Sequence, residues 1–336
     1  MALVFSLLVL VVVVALAWAF TWVQSVPARP TLAAAAATPS TTHTPRPTPT
    51  SSPMPIRRAT RTPRPAGTPL PRSTRSPLFR SPLPGATASP TGGATRCEEI
   101  TGRIVDETYF SRVSNAEQPY LVYLPPCSEL SNRRYPTIYL LHGSQNDDTH
   151  WERLGVFQEM EQGVEEGWLA PAIIVLPEGD PDLYINTSGG LNSFEGQIVD
   201  ELVPIIDRLF QTDPRPRMRA IGGISRGGVW SLEIGFRHPE LFNVVAGHSP
   251  CLNVNEAPPE YDPLKLTDEP SLKTLRIWLD AGDRDYCRPG ADDLHLALDS
   301  SGVAHEYHVW PGSHDDTLWA AHLTDYLEFY TQGWPN

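Results

Sequence analysis

Hydrophobic and polar positions follow three successive patterns along the chain. Residues 3–23, LVFSLLVLVVVVALAWAFTWV, are nearly all apolar. At about 1.5 Å rise per residue, such a run spans the hydrocarbon core of a bilayer. A buried core helix is the other reading of such a run, but the following seventy or so residues offer it nothing to pack against. The run exceeds the apolar region of about 7–15 residues usual in a signal peptide, so residues 1–26 read as a membrane anchor or signal segment, preferentially uncleaved. From 27 to 96 the pattern lapses into sixteen prolines among Thr, Ser and Arg. Proline removes amide donors and favours extended polyproline II, which predicts a disordered linker.

From Gly102 onward, short Val/Ile/Leu-rich runs alternate with stretches of helical spacing. Residues 102–110 and 118–125 flank a polar turn and predict an antiparallel hairpin. Six further strands are expected over 136–143, 171–179, 217–225, 243–249, 275–282 and 305–312. Helices are expected between and after them, over 151–163, 195–210, 227–238, 291–300 and 317–330. In the second of these, Ile198, Leu202, Ile205, Ile206 and Leu209 recur at helical spacing. Uniformly apolar short strands alternating with helices predict an α/β body over 97–336, with a mostly parallel, doubly wound sheet covered by helices on both faces. Ligands of such sheets bind beyond the C-terminal strand ends, so chemistry is to be sought just after strands.

Charge divides the chain at the same boundary. Ten arginines and no acid precede Glu98, whereas the remainder holds 39 acidic against 16 basic residues. An acidic body lacks the clustered Lys and Arg that phosphate backbones require, which excludes nucleic acid as its partner. Four cysteines, Cys97, Cys127, Cys251 and Cys287, all lie in the body, an even count that fits an oxidising compartment. Of the three pairings, Cys97–Cys127 is favoured because the hairpin brings its two ends together. Cys251–Cys287 is favoured because both follow neighbouring strands. Four free thiols are the alternative.

The chemistry-bearing motif is Gly223-Ile224-Ser225-Arg226-Gly227, between an expected strand and an expected helix. Serine becomes a nucleophile when a tight strand-to-helix turn presents its hydroxyl to a base. The Arg226 amide then points into the site from a helix N-terminus, as one oxyanion donor. A serine of this kind takes its acid and base later in the chain, in that order. The segment LDAGDRDY supplies Asp280, Asp283 and Asp285; the first sits in or at the strand edge, the other two in the loop. His314, beyond the last strand and a Gly-containing turn, is the expected base; His305 and His308 fall within a strand and His322 within a helix. The second oxyanion amide should come from Gly143 or Ser144, after PTIYLLHG. Trp151 and Trp319 are candidates to line the substrate pocket. Residues 179–196 are long and Gly-rich and read as a lid or binding loop. No His/Cys cluster of zinc spacing occurs, and the chemistry calls for neither metal nor organic cofactor.

With these residues placed, the body resembles the esterase family of α/β-hydrolases that includes formylglutathione hydrolase, enterochelin esterases, feruloyl and acetylxylan esterases and the mycolyltransferases. The resemblance covers about 118–331 and rests on YLLHG (139–143), VDELVPIIDRLF (199–210), GGISRGG (222–228), RHPELF (237–242), LDAGDRD (279–285) and PGSH (311–314). It implies the α/β-hydrolase fold, Ser225 as nucleophile, Asp285 rather than Asp283 as the acid, and His314 as base. Arg226 departs from the methionine or similar residue common after the nucleophile, and its side chain could reach an acidic or sugar-bearing substrate. The expected activity is hydrolysis of a small-molecule or glycan-linked carboxylic ester by a protein secreted or anchored on the outer face of the cytoplasmic membrane. Acyl transfer to a sugar or lipid hydroxyl, and a non-catalytic binding domain of the same fold, are the alternatives.

Overall fold

A computed structural model of the 336-residue chain describes residues 72–74 and 101–336, apart from 131, 186 and 187. The expected anchor segment, most of the linker and Cys97 lie outside the described residues. Among the described residues no helix is long and apolar enough to cross a membrane.

The hairpin forms from β2 (Arg103–Ser111) and β3 (Ala116–Leu124), paired antiparallel with Arg103 opposite Leu124. The parallel strands are β4 (Thr137–Leu141), β5 (Ile173–Pro177), β6 (Arg219–Ile224), β7 (Val244–His248), β8 (Arg276–Gly282) and β9 (Glu306–Trp310). A three-residue strand, β1 (Arg72–Thr74), pairs parallel with β2 inside the stretch read as linker. There β2 offers an open edge, whose unpaired backbone groups accept any extended segment. The sheet order is β1-β2-β3-β5-β4-β6-β7-β8-β9.

The apolar strand runs are explained by burial on both faces. Tyr139 and Leu141 of β4 join one core with Val175, Ile221 and Val245. Ile138 and Leu140, pointing the other way, join a second with Ile174, Ala220 and Ala246. Side chains alternate across a strand, so a strand covered on both faces is apolar at every position.

Three expected helices are interrupted. The first divides into His150–Leu154 and Val156–Glu166 at Gly155, whose φ of 99° only glycine adopts readily. The second runs Phe194–Gly196, a π-helical stretch Gln197–Leu202, then Val203–Leu209. Pro204 follows the wide turn and has no N–H to give the preceding turn, which accommodates the change of winding. The last divides at His322 into Asp316–Ala321 and Leu323–Thr331.

Candidate active site

Ser225 terminates β6 and precedes the helix Arg226–Arg237. Its backbone, at φ 57° and ψ −114°, is one that L-residues rarely adopt, and such strain costs about 1–3 kcal/mol. The surroundings hold it there: the Ser225 amide donates to the His248 carbonyl (2.8 Å), and its own carbonyl accepts from the Val229 amide (3.1 Å). The two flanking glycines are required by close approach. A Cβ on Gly223 would overlap the Gly227 carbonyl, and one on Gly227 would overlap the carbonyls of Leu141 and His142. The spacing G-x-S-x-G is thus what lets the helix begin directly against the strand tips.

The Ser225 hydroxyl donates to His314 Nε2 (2.9 Å), and His314 Nδ1 donates to Asp285 Oδ1 (2.8 Å). Asp285 Oδ1 also accepts from the Cys287 amide (2.7 Å). Burial pushes the Asp285 carboxyl up, but bonds from His314, Ser249 and the Cys287 amide outweigh it and hold the group below its ordinary value. Ser225 is 7% exposed, so little bulk water surrounds its side chain. Asp283, the alternative acid, is engaged otherwise: its Oδ1 accepts from the Gly312 amide (2.9 Å) and pairs with Arg284. Asp280 is fully buried and serves other donors.

A disulfide joins Cys251 to Cys287, tying the loop after β7 to the acid loop. The Cys251 sulfur lies 3.6 Å from Ser225 Oγ and 3.9 Å from His314 Nε2, so the bridge forms part of the site wall. Cys127 is disulfide-bonded as well, and the partner expected for it, Cys97, lies outside the described residues.

The turn after β4 stands against the serine, since a side chain on Gly143 would sit 3.7 Å from Ser225 Cβ. Its two amides differ. The Gly143 N–H donates to His150 Nδ1 (3.3 Å), while His150 Nε2 donates to Asp316 (3.0 Å). The imidazole of His150, fully buried and held neutral by that burial, therefore occupies the Gly143 donor. The exposed Ser144 is left as the candidate second oxyanion amide. His142 is structural: Nδ1 donates to the Gly143 carbonyl, Nε2 accepts from the Gly179 amide (3.2 Å), and burial lowers its pKa to about 4. Gly179 begins the stretch expected to be a long loop, but its first part is a short helix, Pro181–Ile185, whose Tyr184 donates to the His142 carbonyl (2.5 Å) and fastens it to the turn after β4.

The two tryptophans separate. Trp151, 1% exposed, donates its indole N–H to the Leu141 carbonyl and packs edge-on against His248 and Tyr326. That corrects its assignment to the substrate pocket, because a ring enclosed by core has no face to offer a ligand. Trp319 is also buried, yet it stands perpendicular to the His314 ring at 5.1 Å and donates to Ser249 Oγ. Sequence reasoning missed three residues. Ser249, at φ 50°, accepts the Trp319 indole N–H and favours the ionised form of Asp285. His150 holds the oxyanion turn. Tyr286, 64% exposed, leans over His314 with ring centroids 4.4 Å apart. Position beside Asp285 was the only available signal for Tyr286, and none distinguished His150.

Comparison with known proteins shows the family to which the chain belongs. The Esterase family model, described as "Putative esterase", matches residues 111–330. A curated endo-1,4-beta-xylanase/feruloyl esterase of Xylanibacter ruminicola is 29% identical over 228 residues, covering 62% of this chain and 30% of that protein. An esterase of Mycobacterium tuberculosis is 24% identical over 241 residues, covering 57% of this chain and 51% of the other. The chain thus spans a third to a half of the length of these relatives. Among solved structures, a ferulic acid esterase superposes with TM-score 0.63 at 26% identity, covering 69% of this chain and 99% of that one. An S-formylglutathione hydrolase of Staphylococcus aureus, at 18% identity and TM-score 0.60, shares the fold over 68% of this chain and 98% of its own. With two thirds of its length matched by one family model and its fold shared with these enzymes, the chain belongs to the esterase family of α/β-hydrolases.

Proposed function

We propose that the protein hydrolyses carboxylic esters through an acyl-enzyme on Ser225. The observation that carries the reading is the unbroken chain of hydrogen bonds from Asp285 through His314 to a hydroxyl on a strained strand-to-helix turn. Ser225 Oγ attacks the ester carbonyl carbon while His314 Nε2 takes its proton. Asp285 keeps the imidazole in the tautomer that accepts at Nε2 and stabilises the imidazolium that forms. The carbonyl oxygen, now an anion, moves toward the amides of Arg226 and Ser144. The C–O bond to the alcohol breaks as His314 returns the proton to the leaving oxygen. Water then attacks the acyl carbon with His314 again as base, the bond from that carbon to Ser225 Oγ breaks, and His314 gives the proton back to Oγ, releasing the carboxylic acid.

Relatives named as feruloyl esterases support an aromatic carboxylic ester, free or glycan-linked, as the substrate class. Tyr286, exposed beside His314, is the aromatic surface available to it. We place the reaction outside the cytoplasm, with 1–26 as anchor or signal and 27–96 as linker, on the apolar run, the proline-rich composition and the disulfide-bonded cysteines. The test is hydrolysis of p-nitrophenyl acetate and methyl ferulate by the full chain. Turnover that falls on the order of 10⁴-fold in Ser225→Ala, with unchanged folding, is expected. Equal turnover by the variant would refute the assignment.

A further inference from the structure

The helix that follows Ser225 opens with a cation that has no anion. Arg226 is half-buried, burial lowers its pKa from the ordinary high value, and among the described residues it forms no ion pair. The charged and titratable groups that face it do not neutralise it. Glu233, two turns along the same helix, is wholly buried, with neither carboxyl oxygen hydrogen-bonded and its pKa raised to about 9. It is therefore uncharged at neutral pH. Tyr184 is held protonated by burial and directs its hydroxyl to the His142 carbonyl. One contact is made by the guanidinium side chain: Nη1 donates to Asn255 Oδ1 at 3.1 Å.

That contact fixes the Asn255 amide. With Oδ1 turned to Arg226, Nδ2 is the other end, and it is buried without a hydrogen-bond partner. Asn255 closes the short turn Leu252–Val254, which begins after Cys251, the residue whose sulfur touches Ser225 Oγ. Next to the nucleophile in the chain, a cation without an ion pair thus adjoins a buried amide whose N–H donors have no acceptor. Removing such donors from water without a partner costs free energy, and a ligand that brings the acceptor recovers it.

We infer that Arg226 and Asn255 form an anion subsite beside Ser225 that selects esters carrying a carboxylate on their acyl or alcohol part. The inference rests on the ester-hydrolase reading and narrows its substrate class. The guanidinium supplies charge and paired donors, geometry that suits a carboxylate. The Asn255 amide supplies a further donor. The preference is a binding effect, so it is read in KM more than in kcat.

The test compares kcat/KM for matched esters. In one pair, p-nitrophenyl hemiglutarate carries the carboxylate on the acyl part and p-nitrophenyl valerate is its neutral counterpart. In the other, 4-acetoxybenzoate carries it on the alcohol part, against phenyl acetate. The wild type should prefer the anionic member of one pair, and which pair locates the group. Arg226→Gln should lower that preference by about tenfold or more, mainly through KM, whereas Arg226→Lys, which keeps the charge, should retain most of it. Asn255→Ala should lower it by about threefold and serves if the Arg226 variants fail to fold. Turnover of both members with a ratio unchanged in Arg226→Gln and Asn255→Ala would overturn this inference alone. Turnover of neither by the wild type would overturn the ester-hydrolase reading and the inference with it.

Discussion

Among the described residues the series carboxylate–imidazole–hydroxyl occurs twice. In one, Asp285 accepts from His314 Nδ1 (2.8 Å) and Ser225 donates to Nε2 (2.9 Å). In the other, Asp280 accepts from His248 Nδ1 (2.6 Å) and Tyr330 donates to Nε2 (2.8 Å). The bonding pattern is the same and the settings are opposite. His248 and Asp280 face each other across β7 and β8, wholly buried, and Asp280 also accepts from the Trp278 indole and the Tyr326 hydroxyl. Burial drives the Tyr330 phenol far above its ordinary pKa, and no ligand reaches it. The first series instead ends on a strained turn, where Ser225 immediately precedes a helix. Hydrogen-bond order alone therefore does not mark a reactive site. A reachable hydroxyl and donors for developing charge are also needed.

The two are connected through the backbone. The His248 carbonyl holds the Ser225 amide, and the Asp280 carbonyl holds the Ser249 amide (2.9 Å). The buried series thus fixes Ser225 of the other series, and Ser249 beside it, without touching a substrate.

The largest expected contrast is between the two acids. Asp285→Asn should lower kcat on the order of 10³–10⁴-fold with little change in Tm, because it leaves the fold intact and the imidazole misoriented. Asp280→Asn should do the reverse, costing about 3–5 kcal/mol of stability by breaking a buried pair, while the folded fraction keeps most of its activity. Kinetics and thermal denaturation on both variants check this, and similar profiles for the two would erase the distinction. A smaller effect, about tenfold in kcat, is expected of Ser249→Ala, which removes the acceptor of the Trp319 indole and a group favouring ionised Asp285. Its Tm should fall by only a few degrees.

The smallest effect concerns pH. The Asp285 carboxyl is held below 3.8 in the folded protein, so the folded state binds fewer protons than the unfolded one near that value. Its contribution to stability is fully present above the unfolded value of about 4 and is lost as pH falls through the folded value. Denaturation series between pH 3 and 6 should show wild type losing stability on acidification more steeply than Asp285→Asn. Parallel curves would contradict the bonding assigned to this carboxylate.

Much of the fold was legible because its strands are enclosed on both faces: runs such as PTIYLLHG and PAIIVLPEG are apolar throughout, and the glycines about Ser225 are demanded by atomic overlap. The breaks at Gly155, Pro204 and His322 were not, since helical spacing persists across them. Within the site, a residue just after a strand was visible as a candidate, which is how Ser225, Asp285 and His314 were singled out. His150, Ser249 and the His248–Asp280 pair were not visible. Their partners lie 32 to 166 residues away or depend on strand register. Trp151 misled for a related reason, because pattern does not tell a ring that faces the cleft from one that turns beneath it.

The central claim is that the Ser225 hydroxyl is activated by the His314 imidazole. Treatment of the full-length protein with a fluorophosphonate, followed by mass spectrometry of its peptides, tests it directly. A single phosphonylated residue at Ser225, lost in His314→Ala, is the predicted result. Phosphonylation elsewhere with Ser225 unmodified, or no adduct on the folded wild type, would contradict the account.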